Sequence, residues 1–239
     1  MRNFVVTGST KGIGFSIVAA ILEKYRDAKV YMSYVHDDNA AEHCRDLYGG
    51  RVVVTKVDLS SYQEMENYCS FLREQCSSIY ALILNAGIGY KAHLLELDIE
   101  QWEKVMRVNV SIPIFMIKNL ITLLKNSGSI VMAGSVMGNI PHSGSLVYGV
   151  SKGAVHAAVK NLVKFLSDYN VRINAIAPGF TLSEWHKEKP KSFFDRISMK
   201  IGVHRWATSR EIAEAYLFAI ENKYINGSVI SIDGGYSYF

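Results

Sequence analysis

The chain is poor in the residues that mark secreted or metal-binding proteins. It has three cysteines, Cys44, Cys69 and Cys76, with no C-x-x-C pair. That spacing argues against a disulfide framework and reads as free thiols in a reducing, cytoplasmic compartment. Its seven histidines show no H-x-x-x-H spacing, so no metal site is expected. Charge of one sign is also scarce. The net charge of +4 is dispersed, and no nucleic-acid partner is expected. Long apolar runs are missing too. The longest, Ile112 to Leu124, is interrupted by Pro113, Lys118 and Asn119. It is too short and too polar to span a bilayer and reads as a buried or subunit-facing helix, so no membrane partner is expected. A strand-like run begins within a few residues of Met1, which leaves no room for a signal peptide.

What is present suits one domain, residues 1–239, with 49% apolar and 20% charged residues. Periodicity predicts strands near 3–7, 29–34, 51–56, 80–84, 129–133, 171–176 and 228–232. Helices are predicted near 14–25, 38–48, 62–76, 100–125, 150–168 and 209–222. Strands alternating with helices argue for an α/β fold, a doubly wound, seven-stranded parallel sheet with helices on both faces. Gly8, Asp58, Asn85, Ser135 and Pro178 all fall just past strand ends. In such sheets that edge holds the ligand, near the topological switch point.

The first of these edges carries Thr7-Gly8-Ser9-Thr10-Lys11-Gly12-Ile13-Gly14, between the apolar run Phe4-Val5-Val6 and a helical pattern from Phe15 to Tyr25. Glycines let a backbone approach a pyrophosphate, and a helix N-terminus offers free N–H groups and positive dipole character. The G-x-x-x-G-x-G spacing is neither the P-loop nor the G-x-G-x-x-G fingerprint.

Farther along, Tyr148 and Lys152 stand four apart, on one face if the segment is helical. A nearby ammonium favours the phenolate and lowers a tyrosine pKa from about 10, which makes Tyr148 a candidate proton donor and acceptor. Ser135, just after the run Ser129 to Ala133, places a hydroxyl where a substrate oxygen would lie. A Y-x-x-x-K pair alone is weak. Its weight comes from the glycine loop far away in sequence.

Together these motifs, with Asp58 in Val57-Asp58-Leu59, Asn85-Ala86-Gly87, Asn109, Pro178-Gly179 and Asp233-Gly234-Gly235, resemble the short-chain dehydrogenase/reductase family in its compact subgroup. The likeness runs through nearly the whole chain. It implies an oxidoreductase that transfers a hydride between a nicotinamide and a carbonyl or secondary alcohol, with Ser135, Tyr148, Lys152 and Asn109 as catalytic residues. Asn109 would hold a water linking Lys152 to solvent. It also implies a cofactor site of Gly8 to Gly14, Asp58, Leu59, Asn85, Ala86, Gly87, Tyr148, Lys152, Pro178, Gly179, and Thr181 or Ser183. Tyr34 stands where an NAD-selecting acid would be, Asp37 and Asp38 read as helix caps, and Lys11 resembles the cation of NADP-preferring members. NADP(H) is therefore favoured over NAD(H).

The closest general likeness is to 3-oxoacyl-acyl-carrier-protein reductases. The stretch Leu124 to Gly128 has one Lys and no Arg, which speaks against carrier docking, although Arg172 lies near the second docking position. Sugar, steroid-like or other alcohol substrates, some with NAD(H), stay open. A lid is expected at 182–206, rich in aromatics that either meet an apolar substrate or pack on their own domain. Subunit association as a homodimer or homotetramer is implied for the helices near 100–125 and 150–168, which are apolar on several faces. A non-catalytic NADP-binding sensor is the rival class, and the presence of Ser, Tyr and Lys together argues against it.

Overall fold

A computed structural model describes residues 1–141, 144–183 and 189–238. Among these, seven parallel strands form one sheet in the order β3-β2-β1-β4-β5-β6-β7. They are β1 Arg2–Val6, β2 Ala28–Tyr34, β3 Val52–Lys56, β4 Ala81–Leu84, β5 Ser129–Ala133, β6 Arg172–Pro178 and β7 Val229–Ile232. The strand order reverses between β1 and β4, which opens the crevice where such sheets take ligands.

Side-chain alternation along each strand sorts the core into two layers. Phe4, Val6, Met32, Ile83 and Val131 meet α1 Gly12–Lys24, α2 Asp38–Tyr48 and α8 Ser209–Glu221. Val5, Tyr31, Leu82, Ile130 and Ile173 meet α3 Tyr62–Gln75, α5 Ile112–Leu124 and α6 Leu146–Ser167. Two short helices complete the set, α4 Ile99–Met106 and α7 Lys191–Ser198.

Two differences from the sequence reading bear on function. The helix expected near 150–168 begins at Leu146, so it carries both Tyr148 and Lys152. The helix expected near 100–125 divides into α4, a π turn over Arg107–Ser111, and α5. Pro113 explains the break. It has no N–H for the carbonyl of Asn109, and its ring crowds that carbonyl. The chain widens instead, with Ile112 donating to Arg107, a geometry that recurs at functional positions.

The whole run Ile99–Leu124 spans 26 residues and is long and apolar enough to cross a membrane by length and composition, which the interrupted run 112–124 did not suggest. Ile112, Met116, Leu120 and Leu124 are buried against the sheet, so the protein core accounts for much of that apolar character.

Candidate active site

The glycine loop joins β1 to α1. Gly8 and Gly12 have φ of 60° and 54°, a region side chains rarely adopt. At Gly14 the constraint is space, because a Cβ would stand 2.3 Å from the carbonyl oxygen of Gly8. Lys11 caps α1 without a side-chain bond to the helix, and the first turn holds no acid. The N–H groups of that turn and the positive dipole end therefore face the crevice, which fits a pyrophosphate.

The end of β4 fastens this loop. The Asn85 amide donates to the carbonyls of Thr7 at 3.1 Å and Gly8 at 2.9 Å, and the Ala86 N–H donates to the Thr7 hydroxyl at 3.0 Å. Thr7, the first residue of the loop motif, therefore fastens the loop to the end of β4. The Ser9 hydroxyl turns inward to the Val6 carbonyl at 2.8 Å, so at Ser9 the main chain remains to meet a ligand. Asp58 accepts from the Ser60 N–H at 2.8 Å, which helps hold its carboxyl below the usual range. Leu59 is buried in the core.

The adenosine end differs from expectation at Tyr34. Its ring lies in the core and its hydroxyl donates to Asp38 at 2.8 Å. The pocket beside the glycine loop is lined by Lys11, His36, Asp37, Asp38 and Asn39. Asp37 does cap α2, accepting from the Ala40 N–H at 2.8 Å, and it also pairs with Lys11. Lys56 pairs with Asp38. Side chains from β3 and from the segment after β2 thus share this rim, an arrangement motif spacing could not reveal.

At the other end, β5 and α6 bring Ser135, Tyr148 and Lys152 together. Lys152 is buried, its ammonium donating to the Ala133 carbonyl at 2.7 Å and lying 5.5 Å from the Tyr148 ring centre. Burial lowers its pKa to about 8. Tyr148 departs from expectation. Burial raises its pKa, and a hydrogen bond with Ser135 opposes the rise. Desolvation disfavours the charged phenolate, so the phenol keeps its proton at neutral pH.

Asn109 is buried, not solvated mid-helix. Its amide exchanges two bonds with the backbone of Ile88, each 2.9 Å, and donates to the Ser151 hydroxyl at 2.9 Å. A Cβ on Gly87 would sit 3.3 Å from the Asn109 oxygen and 3.4 Å from the Lys152 nitrogen. The π turn therefore delivers Asn109 beside Lys152 across a glycine.

Beyond β6, Gly179 packs so closely on Asp233 that a Cβ would come within 2.8 Å. The Thr181 hydroxyl bonds back to the Gly179 carbonyl at 3.3 Å, whereas Ser183 stands beside Gly12, where an added Cβ would lie 4.0 Å from its own. The lid aromatics pack on one another and on Phe180 before the lid: Phe194 and Phe180 lie 4.9 Å and 5.0 Å from Trp206 between ring centres. Trp185 and His186 lie outside the described residues.

Residues 8–237 match the family model described as Enoyl-(Acyl carrier protein) reductase. The chain belongs to the short-chain dehydrogenase/reductase family. It is similar to 3-oxoacyl-(acyl-carrier-protein) reductase FabG of Thermotoga maritima, 27% identical, with 97% of this chain and 96% of that protein covered. It is also similar to glucose 1-dehydrogenase 2 of Bacillus subtilis, 28% identical, with 98% and 94% covered. The structure titled Pseudomonas aeruginosa RhlG/NADP active-site complex superposes with a TM-score of 0.88 at 29% identity, covering 98% of this chain and 96% of that one. As a member of this family the protein is an oxidoreductase that acts on CH–OH groups with a nicotinamide cofactor.

Proposed function

We propose that this protein is an NADP(H)-dependent reductase of ketones, with Tyr148 as proton donor. The observation that carries this reading is the meeting of Ser135, Tyr148 and Lys152 beside Gly87 and Asn109, at the crevice whose far end is the glycine loop. The loop N–H groups, Asn85 to Gly87 and Ser183 would hold the cofactor, with Lys11 toward a 2′-phosphate. A bound nicotinamide supplies or accepts the hydride. Tyr148, a protonated phenol at neutral pH, donates its proton to the oxygen that develops negative charge, while Ser135 hydrogen-bonds the same oxygen. Lys152 neutralises the charge left on Tyr148, and Asn109 fixes the Gly87–Ile88 backbone beside it.

The substrate we favour is a small 3-oxoacyl thioester or a comparable secondary ketone. Likeness to the Thermotoga enzyme supports the thioester. Docking on an acidic carrier has less support. Arg172 turns inward, donating to the carbonyls of Ala219, Ile220 and Ile225 at 2.6–3.1 Å. The exposed apolar residues Phe115 on α5 and Val150 and Phe165 on α6 support association into dimers or tetramers. Three buried free thiols fit a reducing compartment such as the cytoplasm.

A second reading, a sugar or other alcohol dehydrogenase using NAD(H), is favoured by Asp37. Its carboxylate at the adenosine rim could accept ribose hydroxyls in place of a phosphate. The test is fluorescence titration with NADPH and NADH, followed by turnover of acetoacetyl-CoA, 2,3-butanedione, cyclohexanone and, in reverse, glucose. Tighter NADPH binding with ketone reduction supports the first reading. Tighter NADH binding with glucose oxidation supports the second, and binding of neither nucleotide refutes both.

A further inference from the structure

One buried, nitrogen-bearing side chain next to the site has no part in the chemistry above. His156 follows Lys152 by one helical turn on α6, so Tyr148, Lys152 and His156 share a face. The residue is 5% exposed. One ring nitrogen, Nε2, accepts from the main-chain N–H of Ser135 at 3.4 Å. The other, Nδ1, lies 2.9 Å from the side-chain oxygen of Asn139. Accepting at Nε2 assigns the proton to Nδ1, which then donates to Asn139, so both bonds require one neutral tautomer.

The turn that carries Ser135 is shaped around this ring. A Cβ on Gly134 would come 2.7 Å from Nε2, and one on Gly138 would come 2.7 Å from Cε1. Two glycines therefore admit the imidazole between them, and both ring nitrogens grip the segment from Ser135 to Asn139. An apolar side chain of similar size would fill the space. It would leave the Ser135 N–H without its partner. The protonation preference agrees with the geometry: burial first, then the Lys152 and Lys160 charges, lower the His156 pKa to about 4.

We propose that His156 is a positioning residue for carbonyl reduction: it fixes Ser135 against Tyr148 by clamping the Gly134–Asn139 turn onto the helix that carries Tyr148 and Lys152. The proposal rests on the reading of Ser135 as the donor to the substrate oxygen. It assigns His156 an effect transmitted through Ser135 alone.

The experiment is a double-mutant cycle read on NADPH-dependent reduction of whichever ketone in the panel above is turned over fastest. His156→Leu removes both ring bonds and is expected to lower kcat by about tenfold, in keeping with the rate cost of small misplacements. NADPH affinity should stay within about twofold, and the amide of Ser135 should exchange hydrogen faster. In the Ser135→Ala background the same change should cost less than about twofold, because coupled residues do not add. His156→Gln, which can still accept from the Ser135 N–H, should recover most of the rate. In ¹⁵N spectra His156 should show the neutral Nδ1–H tautomer at pH 6.

An equal loss in both backgrounds, a parallel loss of NADPH affinity, or an unchanged kcat overturns the proposal. If His156→Leu does not fold, Asn139→Ala removes the outer anchor with the ring in place and is held to the same cycle. If Ser135→Ala itself leaves kcat unchanged, or no ketone is reduced, the reading of the site fails and this inference fails with it.

Discussion

The ammonium of Lys152 donates to the main-chain oxygen of Ala133 across 2.7 Å, tying the N-terminal half of α6 to the last residue of β5. That bond keeps a cation in a buried place next to Tyr148. Holding it there has a consequence for stability. The folded pKa of Lys152 is about 8 against an ordinary 10.5. Between those values the unfolded chain binds more protons than the folded one, so this group makes stability rise with pH over that window. The penalty is complete below pH 8 and is relieved toward pH 10.5.

The stability difference between Lys152→Met and the wild type isolates this effect from the tyrosines that titrate above pH 10. Urea unfolding should show the variant's advantage shrinking from pH 8 to pH 10, by up to about 3 kcal/mol. A constant difference across that range would show that Lys152 does not carry a depressed pKa.

Tyr148→Phe removes the proton donor and keeps the ring that faces Lys152. Turnover should fall by about 10²- to 10⁴-fold, the usual contribution of a positioned acid, with NADPH affinity within about threefold of wild type. Stopped-flow reduction and fluorescence titration measure the two quantities separately. Loss of binding along with turnover would mean that Tyr148 shapes the cofactor site.

Asn109→Leu leaves the N–H and carbonyl of Ile88 without their 2.9 Å partners. Unsatisfied buried groups cost about 1–3 kcal/mol each, so chemical unfolding should show a loss of about 2–6 kcal/mol, with kcat lowered in the protein that remains folded. A loss below 1 kcal/mol would indicate that water replaces the amide.

At the adenosine rim, Lys11→Ala should weaken NADPH by about tenfold and leave NADH nearly unchanged, since a single cation facing a phosphate is lost. Asp37→Asn keeps a side chain that caps α2 equally well and removes the charge that pairs with Lys11. It should tighten NADPH by several-fold. Equal effects on both nucleotides would assign this rim to shape and not to charge.

Much of this protein was legible in its sequence, for physical reasons that act locally. The apolar run Phe4-Val5-Val6 reads as a strand and lies in β1, its side chains alternating between the two helix layers. The glycine loop was readable because positive φ at Gly8 and Gly12 and the closeness of Gly14 to Gly8 exclude other residues. The order of strands and helices gave the doubly wound sheet and its crevice. What remained closed depended on partners distant in sequence. Asn109 is named by its place in the motif set, but what surrounds it is not. It is buried because Pro113 forces a π turn that presents it to Ile88 and Ser151. Adjacency of Lys152 suggested a lowered pKa for Tyr148, yet burial by surrounding elements raises it. Neither the Asp37 pairing with Lys11 nor the grip of His156 on the Ser135 turn follows from spacing. Backbone conformation and face periodicity are properties of short segments, so the sequence by itself determined the fold and the members of the site. Desolvation and long-range hydrogen bonds arise only when segments meet, so the tertiary structure decided their charge states and what holds them in place.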